Sequence, residues 1–273
     1  MNVGDYKSAL HSFYELNNTF EQNKHLLSNP PIYYLMTTEG VLESLRTIKN
    51  YEGMSYFIAQ LNNIESVSSH FKIQIQCVVF LYTLFPLLDR GKFVEAKALI
   101  EKNKENLYDM SNFLIVNRKA QLSLYTALVY LGTNEYAKAR KNLNQIMMSE
   151  KSVFTLPLYK TIRLLNLIIL YELNEFDYIA FEARSLKREI QNKEKMYQIE
   201  LLILKLFNKS LDSLSKKERN VLWEKIEPEL KEFHNNKFEL QLLRIFDFTA
   251  WIEAKIKNIS LSTVLNERTA SGM

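Results

Sequence analysis

Hydrophobic and polar positions along the chain fall into long segments of helical period, and the segments are of two kinds. Residues 32–48, 70–88, 114–131 and 157–173 are apolar segments of helical length, and two stretches in them, "IQIQCVVFLYTLFPLL" and "YKTIRLLNLIILYEL", are apolar nearly all the way round. The segments that follow them are amphipathic. In one of these, Ala139, Leu143 and Ile146 stand at i, i+4 and i+7, on one helical face. Brief polar turns, "KN", "DRG", "GTN" and "LN", separate each apolar segment from its amphipathic successor. Connections this short make consecutive helices lie antiparallel as neighbours. A helix that buries one stripe belongs to an outer layer, whereas one apolar all round is covered on several sides. The pattern therefore predicts a succession of helical hairpins, each with an inner first helix and an outer second helix.

The hairpins repeat. "GDYKSALHSF" from Gly4 recurs as "KNYEGMSYFI" from Lys49, "GKFVEAKALI" from Gly91, "NEYAKARKNL" from Asn134 and "NEFDYIAFEA" from Asn174. The anchoring aromatics Tyr6, Tyr51, Phe93, Tyr136 and Phe176 follow one another at steps of 45, 42, 43 and 40 residues. Asn134 and Asn174 are expected as N-caps of their second helices. Pro86 removes a backbone donor and is expected to kink or end its helix near Phe85. A sixth unit has a first helix over about 194–208, then an insertion, then a second helix opened by the capping box Ser215–Glu218. The resulting boundaries are a half repeat over 1–29 and repeats over about 30–69, 70–110, 111–152, 153–193 and 194–236. A single capping helix is expected over 237–258 and a frayed tail over 259–273.

These repeats resemble the second half of the tetratricopeptide repeat. Gly4, Asp5, Tyr6, Ala9, Phe13 and Leu16 match that signature in order; Gly91, Phe93, Ala96 and Ile100 match in the third copy, and Tyr136, Ala139 and Leu143 in the fourth. The step of 40–45 residues exceeds the family's 34, the Trp and Gly of its first helix are missing, and Met54 and Ile179 stand at its small position. The resemblance, over roughly 1–210, implies an all-α, right-handed solenoid of about six stacked hairpins with a C-terminal cap; a HEAT-like array is the alternative.

Composition agrees with helix. Six Gly and five Pro in 273 residues are too few turn formers for an all-β chain. The net charge of +4, with both signs interleaved in the densest run around Arg184, Lys187, Arg188, Lys193 and Lys195, is not that of a nucleic-acid binder. The one cysteine, Cys77, sits in an apolar run as a small buried hydrophobe and excludes an internal disulfide. A secretory leader is not evident at the start, the longest apolar runs are of core-helix size, and a cytoplasmic location is expected.

Four histidines, no H-E-x-x-H, no phosphate-cradling glycine loop and no nucleophile elbow leave no motif for catalysis, a metal or a cofactor. His11 and Glu15, one helical turn apart, read as a solvated pair. Polar and aromatic residues set in the apolar helices are costly to bury unpaired. Tyr34, Gln76, Tyr82, Asn117, Arg118, Gln121, Tyr125, Arg163 and Asn166 are therefore the candidates for lining a concave peptide groove, with Arg118 and Arg163 as clamps for a carboxylate. Pairing with the adjacent repeat is the alternative for each. The function expected is a non-catalytic scaffold for a protein or peptide segment. The alternative is the peptide-sensing half of a bacterial transcription regulator whose DNA-binding module is absent. The first copy lacks a first helix, so the chain is expected either to be a fragment of a longer repeat protein or to pair with a second copy there.

Overall fold

The computed structural model describes residues 6–27, 30–64, 68–149, 151–193, 197–207 and 211–271, and is helical throughout with no strand among them. Gly4 and Asp5 of the first repeat copy lie outside the described residues. The helices are α1 (Tyr6–Gln22), α2 (Ile32–Thr47), α3 (Tyr51–Asn62), α4 (Ser69–Asp89), α5 (Phe93–Lys102), α6 (Val116–Gly132), α7 (Tyr136–Ser149), α8 (Tyr159–Glu172), α9 (Phe176–Lys193), α10 (Gln198–Leu206), α11 (Lys216–Phe233), α12 (Glu239–Leu243), α13 (Phe248–Lys257) and α14 (Leu261–Ala270). Five of them, α1, α3, α5, α7 and α9, begin on the anchoring aromatic of a repeat copy.

The turns before α3, α5, α7 and α9 share one recurring conformation. Lys49, Gly91, Asn134 and Asn174, each two residues before an anchoring aromatic, have φ between 58° and 68°. In three of the four, the next amide donates back to a carbonyl five residues earlier: Asn50 to Leu45, Glu135 to Tyr130 and Glu175 to Leu170, at 2.8–2.9 Å. This is the Schellman ending, which satisfies the last carbonyls of a helix. Asn134 and Asn174 therefore close the preceding helix and do not cap the following one. Asparagine tolerates the left-handed region better than other residues with a Cβ, which is why it stands there. The cap of α3 is Asn50, whose side chain accepts from the Gly53 amide at 3.1 Å.

Three further expectations are corrected. Pro86 does not end α4 at Phe85; the helix runs on to Asp89. It lies in the last turn, where one ladder bond is lost while Phe85 and Leu88 stay buried. The capping helix of 237–258 is two helices, α12 and α13. Asp247 interrupts it by capping α13, its carboxylate accepting from the Thr249 and Ala250 amides at 3.1 and 3.3 Å. The tail expected to fray over 259–273 contains α14, packed on α13.

The chain forms two compact units, Met1–Leu88 with Glu95–Tyr125, and Asp89–Val94 with Thr126–Met273. In unit one, α1 packs on α2 and α2 on α3. Phe13 of α1 lies against Gly40 of α2, where a Cβ would come within 2.5 Å of its ring. Asn17, buried, donates to Thr38 at 3.3 Å. Cys77 is fully buried, and burial pushes its thiol up to about 12. α4 is the one helix among the described residues long and apolar enough to cross a membrane by length and composition, and 61% of that window is buried within this chain.

In unit two, α7 packs on α8, α8 on α9, α11 on α13 and α13 on α14. Phe93, buried, presses its ring on Gly132 at the end of α6. Gly91, at φ 68°, meets α14: its carbonyl accepts from the Ser262 hydroxyl at 2.7 Å. The capping box at the head of α11 forms as expected, with the Glu218 carboxylate accepting from the Ser215 amide at 2.8 Å.

Candidate partner-binding site

α7, "YAKARKNLNQIMMS", carries three basic residues and no acidic one. Ala139, Leu143 and Ile146 are buried, as their spacing predicts. The opposite stripe, Ala137, Lys141, Asn144, Gln145 and Met148, forms one wall of a shallow, open groove of about 890 Å³. Leu173 and Glu175, on the turn between α8 and α9, form the floor. Arg140 crosses from the wall to the floor: its guanidinium pairs with Glu175 Oε1 and lies 5.4 Å from the Tyr178 ring. The other oxygen of that carboxylate, Glu175 Oε2, is buried without a hydrogen-bond partner. Met148 is 83% exposed at the far end of the stripe. On α9, Phe176, Tyr178 and Phe181 are also exposed.

The nine residues singled out in the sequence are distributed differently. Seven belong to unit one and two to unit two. Arg118 of α6 donates to both oxygens of Glu39 of α2 and to Gln121 Oε1 at 2.9 Å. Its pairing with Glu39 works against burial, which lowers an arginine pKa, and the net direction is upward. Tyr82 of α4 is buried and donates to Glu43 at 3.1 Å; burial and the Glu43 charge raise its pKa. Tyr34 donates to Glu21 and stands edge-on to Phe20; burial first, then Glu21, raises its pKa. The Tyr125 ring is buried 4.6 Å from Phe85, which also carries the Arg46 guanidinium at 3.7 Å. The structure thus brings Glu39, Glu43 and Arg46 on one face of α2 to α4 and α6 as a ladder of internally matched groups. Arg163, buried, donates to Glu182 at 3.3 Å. Both expected clamps already hold carboxylates of this chain. Gln76 and Asn117 are exposed, and the Asn166 Oδ1 is buried without a partner.

Other charged groups also serve the fold. Glu239, buried, accepts from the Gln198 and Ile199 amides at 2.8 and 3.2 Å and so caps α10 from another helix. Arg268 of α14 donates to Asp247 at 2.6 Å and to Glu253 at 2.5 Å, and Thr249 between them also meets His234 at 2.9 Å. Burial alone would raise the Asp247 and Glu253 carboxyls; Arg268, with His234 and Thr249 for the first and Lys257 for the second, holds both below their ordinary range. No group of three or more His, Cys, Asp or Glu that could hold a metal occurs among the described residues. His11 and Glu15 form an exposed pair at 3.3 Å. Of the basic run, Arg184 of α9 is exposed, the side chains of Lys187, Arg188 and Lys193 lie outside those described, and Lys195 lies outside the described residues.

Comparison with protein-family models, with curated proteins and with solved structures gives no match.

The α7 groove was missed because the polar candidates were sought in the apolar helices. The available signal was small. Met148 follows Ala137 by eleven residues, three helical turns, on the face opposite Ala139 and Leu143.

Proposed function

We propose that this chain is a non-catalytic helical-repeat scaffold that holds a segment of a partner protein in the groove along α7. The observation that carries the reading is that groove. A three-turn stripe of α7, ending in an almost fully exposed methionine, lies open, and Tyr178 of α9 stands 5.4 Å from the Arg140 guanidinium in its lining. The inner helices, where the concave site was expected, have most of their polar groups matched within the chain, which favours the outer face. The finer architecture, a right-handed tetratricopeptide-like solenoid, is supported by the five second helices that start on their aromatic and by the recurring left-handed residue two positions earlier.

Site-specific photo-crosslinking tests the proposal. Benzoylphenylalanine is placed at Ala137, at Gln145 and, as a control on α11, at Lys217. Irradiation in extracts of the source cell should give one discrete adduct from the first two positions and none from the third. The same adduct pattern from all three, or none from any, would remove the groove as the binding site.

A further inference from the structure

We infer that the segment seated in the α7 groove is an acidic amphipathic helix of about three turns, an inference that rests on the scaffold reading and specifies its partner. The length comes from the wall. Ala137, Lys141, Asn144, Gln145 and Met148 stand at i, i+4, i+7, i+8 and i+11, which at the helical rise covers about 17 Å. A helix laid along such a stripe contacts it with one face of its own, read as apolar anchors three, four and seven residues apart.

A helix is favoured over an extended peptide by what the groove lacks. The wall is itself helical, so its backbone donors and acceptors are used within α7. An extended segment would have to place its own amides and carbonyls against a few side chains, chiefly Asn144 and Gln145. A helix brings those groups already satisfied and needs only side-chain contact with Ala137, Met148 and Leu173.

The charge of the partner follows from pairing within the site. Arg140 and Glu175 neutralise each other, and Lys138 beside them pairs with Glu135. Lys141, exposed midway along the wall, is left as the net charge of the lining. Carboxylates on the flank of the partner helix complement it, and amines there repel it.

Two synthetic 14-residue peptides test this, identical in a leucine stripe at i, i+3, i+4, i+7 and i+11, one with glutamate and one with lysine on its flanks. Their affinities for the full chain are read by fluorescence anisotropy at low and high salt. The glutamate peptide should bind at least tenfold more tightly than the lysine peptide, and salt should narrow the gap. Met148→Asp should abolish binding; since Met148 is 83% exposed, this variant keeps the fold. Lys141→Glu should invert the preference. Equal or tighter binding of the lysine peptide, or indifference to both substitutions, overturns the inference. If neither peptide binds while crosslinking from Ala137 still captures a partner, the helix inference falls and the scaffold reading stands. If crosslinking fails as well, both fall.

Discussion

Replacing Gly132 by alanine puts a helix-favouring residue at the end of α6, and the structure says it should nevertheless destabilise unit two. Alanine is better than glycine in a helix by about 1 kcal/mol. The new Cβ, however, would lie 2.2 Å from Cγ and Cδ1 of Phe93, well short of the 3.4 Å at which ordinary contact begins. Phe93 is only 3% exposed, and its Cγ is too near the backbone to swing aside. Overpacking of this kind costs about 1–3 kcal/mol, and the size of the overlap argues for the upper part of that range. The net loss should be about 1–2 kcal/mol. Both tryptophans, Trp223 and Trp251, lie in unit two, so urea unfolding followed by tryptophan fluorescence reads that unit. The decisive measurement is the double-mutant cycle. In a Phe93→Ala background the overlap is gone, and Gly132→Ala should become stabilising. The reasoning is falsified if Gly132→Ala stabilises the wild-type chain, or if its effect is the same with and without the Phe93 ring.

Three further outcomes are expected. Arg118→Met or Glu39→Gln alone should cost unit one about 2–3 kcal/mol by leaving a mostly buried charge unmatched, while Glu39→Leu with Arg118→Met should recover most of it; circular dichroism in urea measures this, and additive losses would refute it. Asn134→Gly should leave stability unchanged or raise it, whereas Asn134→Val should lower it by about 1–2 kcal/mol, because the position is left-handed at φ 59°. Asp247 and Glu253 are held below their ordinary range, so their contribution is fully present above the unfolded carboxylate range near about pH 4 and is lost as pH falls through their lowered values. Arg268→Ala should therefore flatten the acid-side fall of the unit-two urea midpoint, and an unchanged slope below pH 4 would show that the Arg268 cluster does not cause it.

The starts of α3, α5, α7 and α9 were legible because burial demands a period and an aromatic recurs at each turn, whereas the full helix count was not, since the capping segment divides into α12 and α13 and the tail holds α14. The turn chemistry was read one step wrongly. Asn134 and Asn174 precede a helix start, where asparagine is a good N-cap, but they equally follow a helix end, where a residue must adopt the left-handed conformation. Gly91 and Lys49 at the same offset decide between the two, since neither has a side chain that could cap. The C-terminal region was misread for a different reason. α14 has only Leu261, Val264 and Leu265 to bury, too few for a periodic signal, and it is held by Arg268 on Asp247 and Glu253 and by Ser262 on Gly91. Single polar contacts between distant positions leave no pattern in a sequence.

The same distinction bears on where a partner binds. A polar residue inside an apolar helix draws notice because its burial is costly, but that cost is also the reason the fold matches it internally, as Glu39 does for Arg118 and Glu182 for Arg163. What remains open is a surface the fold has no reason to cover, and on the polar face of an amphipathic helix such a surface costs little to expose. In α7 the buried face is met by Ala139, Leu143 and Ile146, and the free face by Ala137 and Met148. An exposed methionine adds nothing to the stability of the isolated chain, so exchanging it separates the two roles. Met148→Asp should leave the urea midpoint of unit two unchanged while removing capture by the groove. Arg118→Met should do the reverse, lowering the stability of unit one with the groove still able to bind.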